Sequence, residues 1–315
     1  MHCLVTGCAG FIGSHLTEAL LDAGASVVGV DCFNDNYARP QKLQNLERAR
    51  SWENFDFVPV DLARGELRDL VEGVDALYHL AAEPGVRASW GGRFETYVRN
   101  NILATHHVME AARHVDDIRV VYASSSSVYG QAETFPTPET ALPRPFSPYG
   151  MTKLSAEHLC LLHHANHGVP VSSLRFFTVY GPRQRPDMAF TRFFGAALEG
   201  APITVFGDGE QTRDFTYVAD IVAALTAAAE SDAAIGNVYN VGGGSQISLN
   251  ETLRIIEDVT GRELDVQRLP NERGDVRHTG ADTTLARRDL GYDPSTPIRE
   301  GLERQFEWVA ARAAA

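Results

Sequence analysis

Thr6-Gly7-Cys8-Ala9-Gly10-Phe11-Ile12-Gly13 is the stretch that decides the fold. It follows a short apolar run, Cys3–Thr6, and opens a segment, Ser14–Asp22, whose apolar residues recur at helical spacing. The three glycines have separate physical uses. Gly7 permits a tight turn, Gly10 lets backbone amides approach a pyrophosphate, and Gly13 allows a helix to pack closely on the strand. The helix N-terminus then presents its partial positive charge to the phosphates. A glycine motif carries weight only between a strand and a helix, and that is where this one lies.

Working outward, apolar runs at Ser26–Asp31, Phe55–Val60, Ala76–Leu80, Arg119–Ala123 and Val171–Phe177 alternate with helical patterns such as Thr96–Arg113. Near-continuous apolar strands alternating with helices imply a parallel sheet covered on both faces. After Phe177 come a Pro- and Arg-rich loop at Gly181–Asp187 and a helix near Phe190–Glu199, then Ile203–Phe206 and a helix at Val218–Ala229. A strand at Val238–Val241 can return to the sheet, and the remainder mixes two or three helices with short strands. The fold class expected is α/β: a Rossmann doubly wound parallel sheet with a smaller, discontinuous C-terminal α/β substrate domain. Residues 1–178 form the dinucleotide domain with 214–243 returning to it, and 179–213 with 244–315 form the second domain.

Asp31 ends the second strand, where a carboxylate can hold the adenosine ribose hydroxyls and repel a 2′-phosphate, so the expected cofactor is NAD rather than NADP. Asp61 and Leu62, after the third strand, can meet the adenine. Leu80, Ala81 and Ala82 offer small side chains beside the nicotinamide half; all five residues read equally well as ordinary strand ends until joined to the rest.

The bulk properties fit a globular enzyme. The chain has 315 residues, 44% hydrophobic and 22% charged, enough for a real core without a disordered composition. A formal net charge of −13 argues against nucleic acid as a partner. Cys3, Cys8, Cys32 and Cys160 have neither metal spacing nor the pattern of a secreted framework, and read as reduced structural thiols. No signal segment precedes the first strand and no run of eighteen apolar residues exists, so the expectation is a cytoplasmic protein with no membrane partner.

The fifth strand runs into Ser124-Ser125-Ser126-Ser127, and beyond it Ser147-Pro148-Tyr149-Gly150-Met151-Thr152-Lys153 begins a helix. Ligands in such sheets bind beyond the carboxyl ends of the strands, which is where these hydroxyls fall. Tyr149 and Lys153, four residues apart, share one helix face. An ammonium and a positive nicotinamide both favour phenolate, so the tyrosine pKa is expected to fall and the phenolate to act as general base on a substrate hydroxyl. A serine hydroxyl orients the same oxygen. A Tyr-x-x-x-Lys pair alone is common on ordinary helices; its conjunction with the glycine loop and the serine-rich strand end gives it chemical meaning.

This combination, together with Leu80-Ala81-Ala82, Asn100-Asn101, Gly207-Asp208-Gly209 and Arg213-Asp214-Phe215, resembles the extended short-chain dehydrogenase/reductase family of NAD-dependent nucleotide-sugar epimerases and dehydratases over essentially the whole chain. The resemblance implies Ser125, Tyr149 and Lys153 as the catalytic trio, Asn101 as a support for the active-site loops, and Phe176 beside the nicotinamide. Family dehydratases carry an Asp-Glu pair just after the catalytic Ser or Thr, and decarboxylating relatives usually have an acid in this turn too. Ser126 and Ser127 stand there instead, which leaves C4 epimerisation of a UDP-sugar through a transient 4-keto sugar.

Pro84-Gly85-Val86-Arg87-Ala88-Ser89 and Phe177–Met188 look like the UDP-glucuronate 4-epimerases of that family. Ser125, Ser126, Ser127 and Thr178 would make a ring of neutral hydroxyls for a C5 carboxylate, with Arg87 and Arg185 as helpers. The same ring could equally shape a neutral-sugar pocket, so UDP-glucose 4-epimerisation is the alternative, followed by UDP-glucuronate decarboxylation and by NAD(P)H-dependent reduction. Arg213 and Arg273 match family positions that clamp the diphosphate, Thr204, Val205, Phe206 and Gln211 would line the nucleotide end, and Asp275 would contact the substrate or anchor Arg273. His163 and His167 have the i, i+4 spacing of a metal pair, but no third ligand is evident in sequence, and the expectation is no metal. Helices at Asn101–Arg113 and Met151–Asn166 resemble those that pair in family homodimers; their apolar faces could also be buried within one chain.

Overall fold

The computed structural model describes residues 1–244, 246–270 and 276–314. A seven-stranded sheet occupies its centre. In chain order its first six strands are β1 (His2–Thr6), β2 (Ser26–Val30), β3 (Phe55–Val58), β4 (Ala76–His79), β5 (Arg119–Ser125) and β6 (Val171–Phe176). The seventh, Val238–Val241, returns to the edge beside β6, so the spatial order is Val238–Val241, β6, β5, β4, β1, β2, β3, with every pairing parallel. The order reverses between β1 and β4, the topological switch point at which such sheets open a crevice for ligands. This is the doubly wound architecture expected from the strand–helix alternation.

Strand alternation distributes the core over both faces of the sheet. Cys3, Val5, Tyr78 and Val121 pack with Leu16, Leu20 and Leu21 of helix α1 (Phe11–Asp22) and with Ile221 and Leu225 of helix Val218–Glu230. Leu4, Leu77, Val120 and Tyr122 face the other way, onto Val108 and Met109 of helix Ala104–Ala112 and Ala156 and Cys160 of helix Pro148–His167. Burying one side chain such as Leu77 stabilises the fold by about 1.5–3 kcal/mol relative to exposure.

The segment expected as one helix at 96–113 is helical throughout but interrupted. Phe94–Tyr97 and Ala104–Ala112 are α-helical, and Val98–Leu103 between them is a π turn. Such turns recur at functional sites because they re-aim a side chain; here the side chain is Asn101. Strand β5 extends past its expected end at Ala123 because Ser124 and Ser125 pair with Arg175 and Phe176. Beyond the main sheet, Ile203–Phe206 pairs with Val266–Leu269 and Thr212–Asp214 with Gln246–Ser248. Cys3, Cys8 and Cys160 are buried, Cys32 is exposed, and all four are free. Among the described residues no helix is long and apolar enough to cross a membrane.

Candidate active site

The glycine loop is built by contacts that only glycine tolerates. Gly7 has φ +73°, the left-handed region, and its N–H donates to Val30 O at 2.7 Å. A Cβ on Gly13 would lie 2.1 Å from Gly7 O, so the first turn of α1 packs directly on the loop backbone. No side chain caps that helix, whose N-cap is Gly10, so its leading N–H groups face the crevice. Asp31 accepts from the N–H of Phe33 at 2.8 Å and of Ala9 at 3.3 Å. Burial nonetheless raises its pKa, with those bonds and Lys42 opposing. These features fit a dinucleotide: an uncapped helix end for the pyrophosphate and a fixed carboxylate for a ribose. Gly13→Ala is expected to weaken NAD retention roughly tenfold to a hundredfold, from about 1–3 kcal/mol of imposed backbone strain. Equal NAD content after gel filtration of wild type and variant would contradict that account.

One cleft runs along the carboxyl ends of the strands. It gathers Gly7, Gly10, Phe11, Ile12, Gly13, Asp31, Asp61, Leu62, Leu80, Ala81, Ala82, Pro84, Tyr149, Lys153, Phe176 and Arg185 of the residues expected from sequence. Asn34, Asn36, Tyr37 and Lys42 also line it, and sequence reasoning missed them. The buried Lys42 ammonium donates to Asn34 O at 2.8 Å and to Asn34 Oδ1, and burial lowers its pKa against the pull of Asp31. The Asn-x-Asn-Tyr run after Asp31 was the one signal available, but an irregular loop gives no periodicity from which to infer its direction.

Asn101 lies behind the cleft rather than in its lining. It is buried; its Nδ2 donates to Glu83 O at 3.1 Å and to Thr152 Oγ1 at 2.9 Å, and its Oδ1 accepts from Glu83 N at 2.6 Å. The π turn thus ties the loop after β4 to the helix bearing Tyr149. Glu83, also missed, is a buried carboxylate paired with Arg93 at 2.8 Å.

Helix Pro148–His167 begins with Ser147 as N-cap, its hydroxyl accepting from Gly150 N at 3.1 Å, and with Pro148 at the first turn. Gly150 matters because a Cβ there would sit 2.4 Å from Ser127 O. Its absence brings the serine turn 125–128 against the helix bearing Tyr149. Ser125 Oγ accepts from Ser127 N at 3.2 Å, fixing that turn, and Ser124 Oγ donates to Glu157 Oε2 at 2.6 Å. The buried Lys153 ammonium lies 4.4 Å from the centre of the Tyr122 ring.

The electrostatics correct one expectation. Burial raises the Tyr149 pKa, with the Ser125 hydroxyl and the Arg185 charge opposing, instead of a neighbouring ammonium lowering it. Burial likewise pushes Lys153 down to about 7, against Cys160 and Glu157. In the protein alone the pair is therefore held towards phenol and amine. The charge that favours phenolate has to come from a bound cation such as an oxidised nicotinamide.

The residues expected to hold the sugar and nucleotide come from several separate elements. Ser125 stands opposite Phe176 in the register of β5 and β6, so Ser126, Ser127 and Thr178 leave the same sheet edge side by side. Arg87 reaches across to Phe206, its guanidinium 4.5 Å from the ring centre, which brings the segment Pro84–Gly85–Val86–Arg87 against the strand carrying Thr204, Val205 and Phe206. Val205 is buried in the core, so its side chain packs rather than lining an open surface. Gln211 Nε2 donates to Phe206 O at 3.0 Å, and Arg213 Nη1 to Thr212 O at 2.8 Å. Arg185 forms a two-pronged ion pair with Asp187 at 2.9 and 2.8 Å. Arg273 and Asp275 lie outside the described residues.

Comparison with known proteins agrees with this geometry. The sequence model of the NAD dependent epimerase/dehydratase family matches residues 3–242. An uncharacterized UDP-glucose epimerase of Bacillus subtilis (strain 168) is 43% identical over 312 residues, covering 99% of this chain and 98% of that protein. A UDP-glucuronate 4-epimerase of Thermodesulfobacterium geofontis (strain OPF15) is 39% identical over 311 residues, covering 97% and 95%. The crystal structure of UDP-glucuronic acid 4-epimerase from Bacillus cereus, in complex with UDP-glucuronic acid and NAD, superposes with a TM-score of 0.96 at 42% identity, covering 99% of this chain and 100% of that one. The chain belongs to the NAD-dependent epimerase/dehydratase family.

Proposed function

We propose that this protein is an NAD-dependent nucleotide-sugar 4-epimerase that interconverts UDP-glucuronate and UDP-galacturonate through a transient 4-keto sugar. The observation that carries the reading is Tyr149 and Lys153 in the glycine-loop cleft, packed against a serine turn that contains no acid. Bound NAD would take hydride from C4 and return it to the opposite face of the sugar. Tyr149 takes the C4 hydroxyl proton as the hydride leaves and gives a proton back as it returns, so proton and hydride both balance over the cycle. Ser125 orients the reacting oxygen, and Lys153, its pKa near neutrality in the buried site, stabilises the phenolate when itself protonated, once a bound cation has drawn the phenol towards ionisation. Ser126, Ser127 and Thr178 hydrogen-bond the C5 carboxylate without acidic groups. That matters because a 4-keto uronate is a β-keto acid prone to losing CO₂. Arg213 pairs with the diphosphate.

The test is incubation with UDP-glucuronate and with UDP-glucose, followed by separation of the C4 epimers. Epimerised uronate is expected. Turnover of the neutral sugar alone would establish the second reading, UDP-glucose 4-epimerisation, which the name of the Bacillus subtilis relative favours. Release of CO₂ would mean decarboxylation. Ser127→Asp sharpens the question, since juxtaposed like charges cost several kcal/mol. It should lower kcat/KM for UDP-glucuronate roughly a hundredfold while UDP-glucose is affected far less. Equal losses on both substrates would remove Ser127 from the carboxylate site.

Two further readings accompany this one. Residues 1–178 with 214–243 act as the NAD domain, and 179–213 with 244–315 as the sugar-nucleotide domain; the strand Val238–Val241 beside β6 supports the return. The chain works as a cytoplasmic homodimer. Its four free thiols support the compartment, and Leu103 (40% exposed), Met151 (36%) and Leu162 (55%), uncovered on the two helical segments expected to pair, support the dimer.

A further inference from the structure

Away from the cleft, helices Ala104–Ala112 and Pro148–His167 pack side by side, and imidazoles gather between them. The sequence pairs His163 with His167. The structure instead places His163 opposite His106 and Glu110, and one potential ligand atom from each of these three lies within 4.8 Å of the others. His106 and Glu110 are one turn apart on the same helix face. The His163 ring centre is 6.3 Å from that of His106, and 5.5 Å from that of His167.

His163 is the telling residue. It is only 6% exposed, and its Nδ1 is buried with no hydrogen-bond partner. Its Nε2 is 3.6 Å from Glu110 Oε1, beyond hydrogen-bond length. Buried imidazoles ordinarily have both nitrogens satisfied, and here Nε2, the nitrogen turned towards Glu110 and the one that would meet an ion, makes no hydrogen bond to it. Burial also lowers its pKa; Glu110 opposes, while His167, His106 and Arg113 add to the effect. Arg113 engages the other carboxylate oxygen, Glu110 Oε2, at 3.1 Å, which leaves Oε1 turned towards His163.

We propose that His106, Glu110 and His163 form a site for a divalent transition ion, zinc by ligand chemistry, with solvent in the fourth position. Two imidazoles and one carboxylate from two packed helices are a tetrahedral zinc donor set. Donors on tetrahedral zinc lie about 3.3 Å apart, so the ion draws the His106 and Glu110 side chains inward from their present spacing. All three ligands come from one chain and none lines the cleft, so the site stands independently of the proposed reaction.

The test uses the full-length, untagged protein, stripped of metal by a chelator and dialysed against micromolar zinc chloride. Stoichiometric zinc is expected by elemental analysis, with an absorption-edge spectrum showing imidazole and oxygen ligands. His106→Ala and Glu110→Gln, both away from the buried core, should each weaken binding at least about tenfold. The exposed His158→Ala on the same helix should leave it unchanged, and epimerisation should proceed in all of them. Zinc retained by the His106→Ala/Glu110→Gln double variant, zinc lost on Cys32→Ser instead, or no zinc bound at all would each overturn the proposal.

Discussion

Tyr149→Phe should reduce turnover by about 10²–10⁴, the range that one positioned acid–base group supplies, or roughly 3–5 kcal/mol of barrier. The substitution removes one oxygen and keeps the ring, including its edge-on contact with Tyr97 at 6.3 Å between centres. NAD content and melting temperature should therefore stay at wild-type levels, which separates lost chemistry from lost folding. The pH profile adds a second readout. Burial raises the Tyr149 pKa, so wild-type kcat/KM should climb with pH as the phenol ionises, while residual activity in the variant should lack that limb. Turnover within threefold of wild type would remove Tyr149 from the reaction.

Legibility in the sequence followed local geometry. The glycine loop, Asp31 and the Tyr149–Lys153 pair could be read because each lies at a fixed offset from a strand or on a single helix face, so local geometry implies the contact. The return of Val238–Val241 to the sheet could be read from its apolar run. Contacts closed by irregular segments could not. Lys42 stands on the short helix Arg39–Asn45, which reaches the cleft only because the irregular segment before it turns that way, and Glu83 meets Asn101 only because a π turn rotates that side chain out of helical register. The direction of the Tyr149 shift was also hidden. Spacing says that Tyr149 and Lys153 are neighbours, but only the folded surroundings reveal that desolvation outweighs the neighbouring charges. The His106–Glu110–His163 cluster escaped for a similar reason. Its third member stands on another helix, and the i, i+4 rule points along one helix only.

Beneath the site lies a buried ion pair whose disruption should have the largest effect on stability. Arg175 on β6 meets Glu157 in two-pronged geometry, Nη2 to Oε1 at 2.6 Å and Nε to Oε2 at 3.0 Å, and both residues are almost wholly inaccessible. Each partner also holds a neutral group. Glu157 accepts from Ser124, and Arg175 donates to the Tyr129 hydroxyl at 2.6 Å, which in turn donates to Asn240 Oδ1 at 2.8 Å. One network thereby joins the end of β5, the helix bearing Tyr149, β6 and the returning strand. Arg175→Met would leave the Glu157 carboxylate buried without a counter-charge, which costs about 3–5 kcal/mol. At roughly 2–4 °C per kcal/mol, the melting temperature should fall by about 10 °C. The charge, rather than the lost packing, is the cause, and a double variant isolates it. Arg175→Met with Glu157→Leu removes both charges and should recover most of the loss, whereas two independent packing defects would add. A double variant as unstable as the sum of the singles would refute the unpaired-charge account. A recovered double variant should still turn over more slowly than wild type. Ser124 would have lost its acceptor and Lys153 the carboxylate one turn along its helix that favours its charged form, so the network would sustain catalysis by holding the strand end and the catalytic helix in one frame.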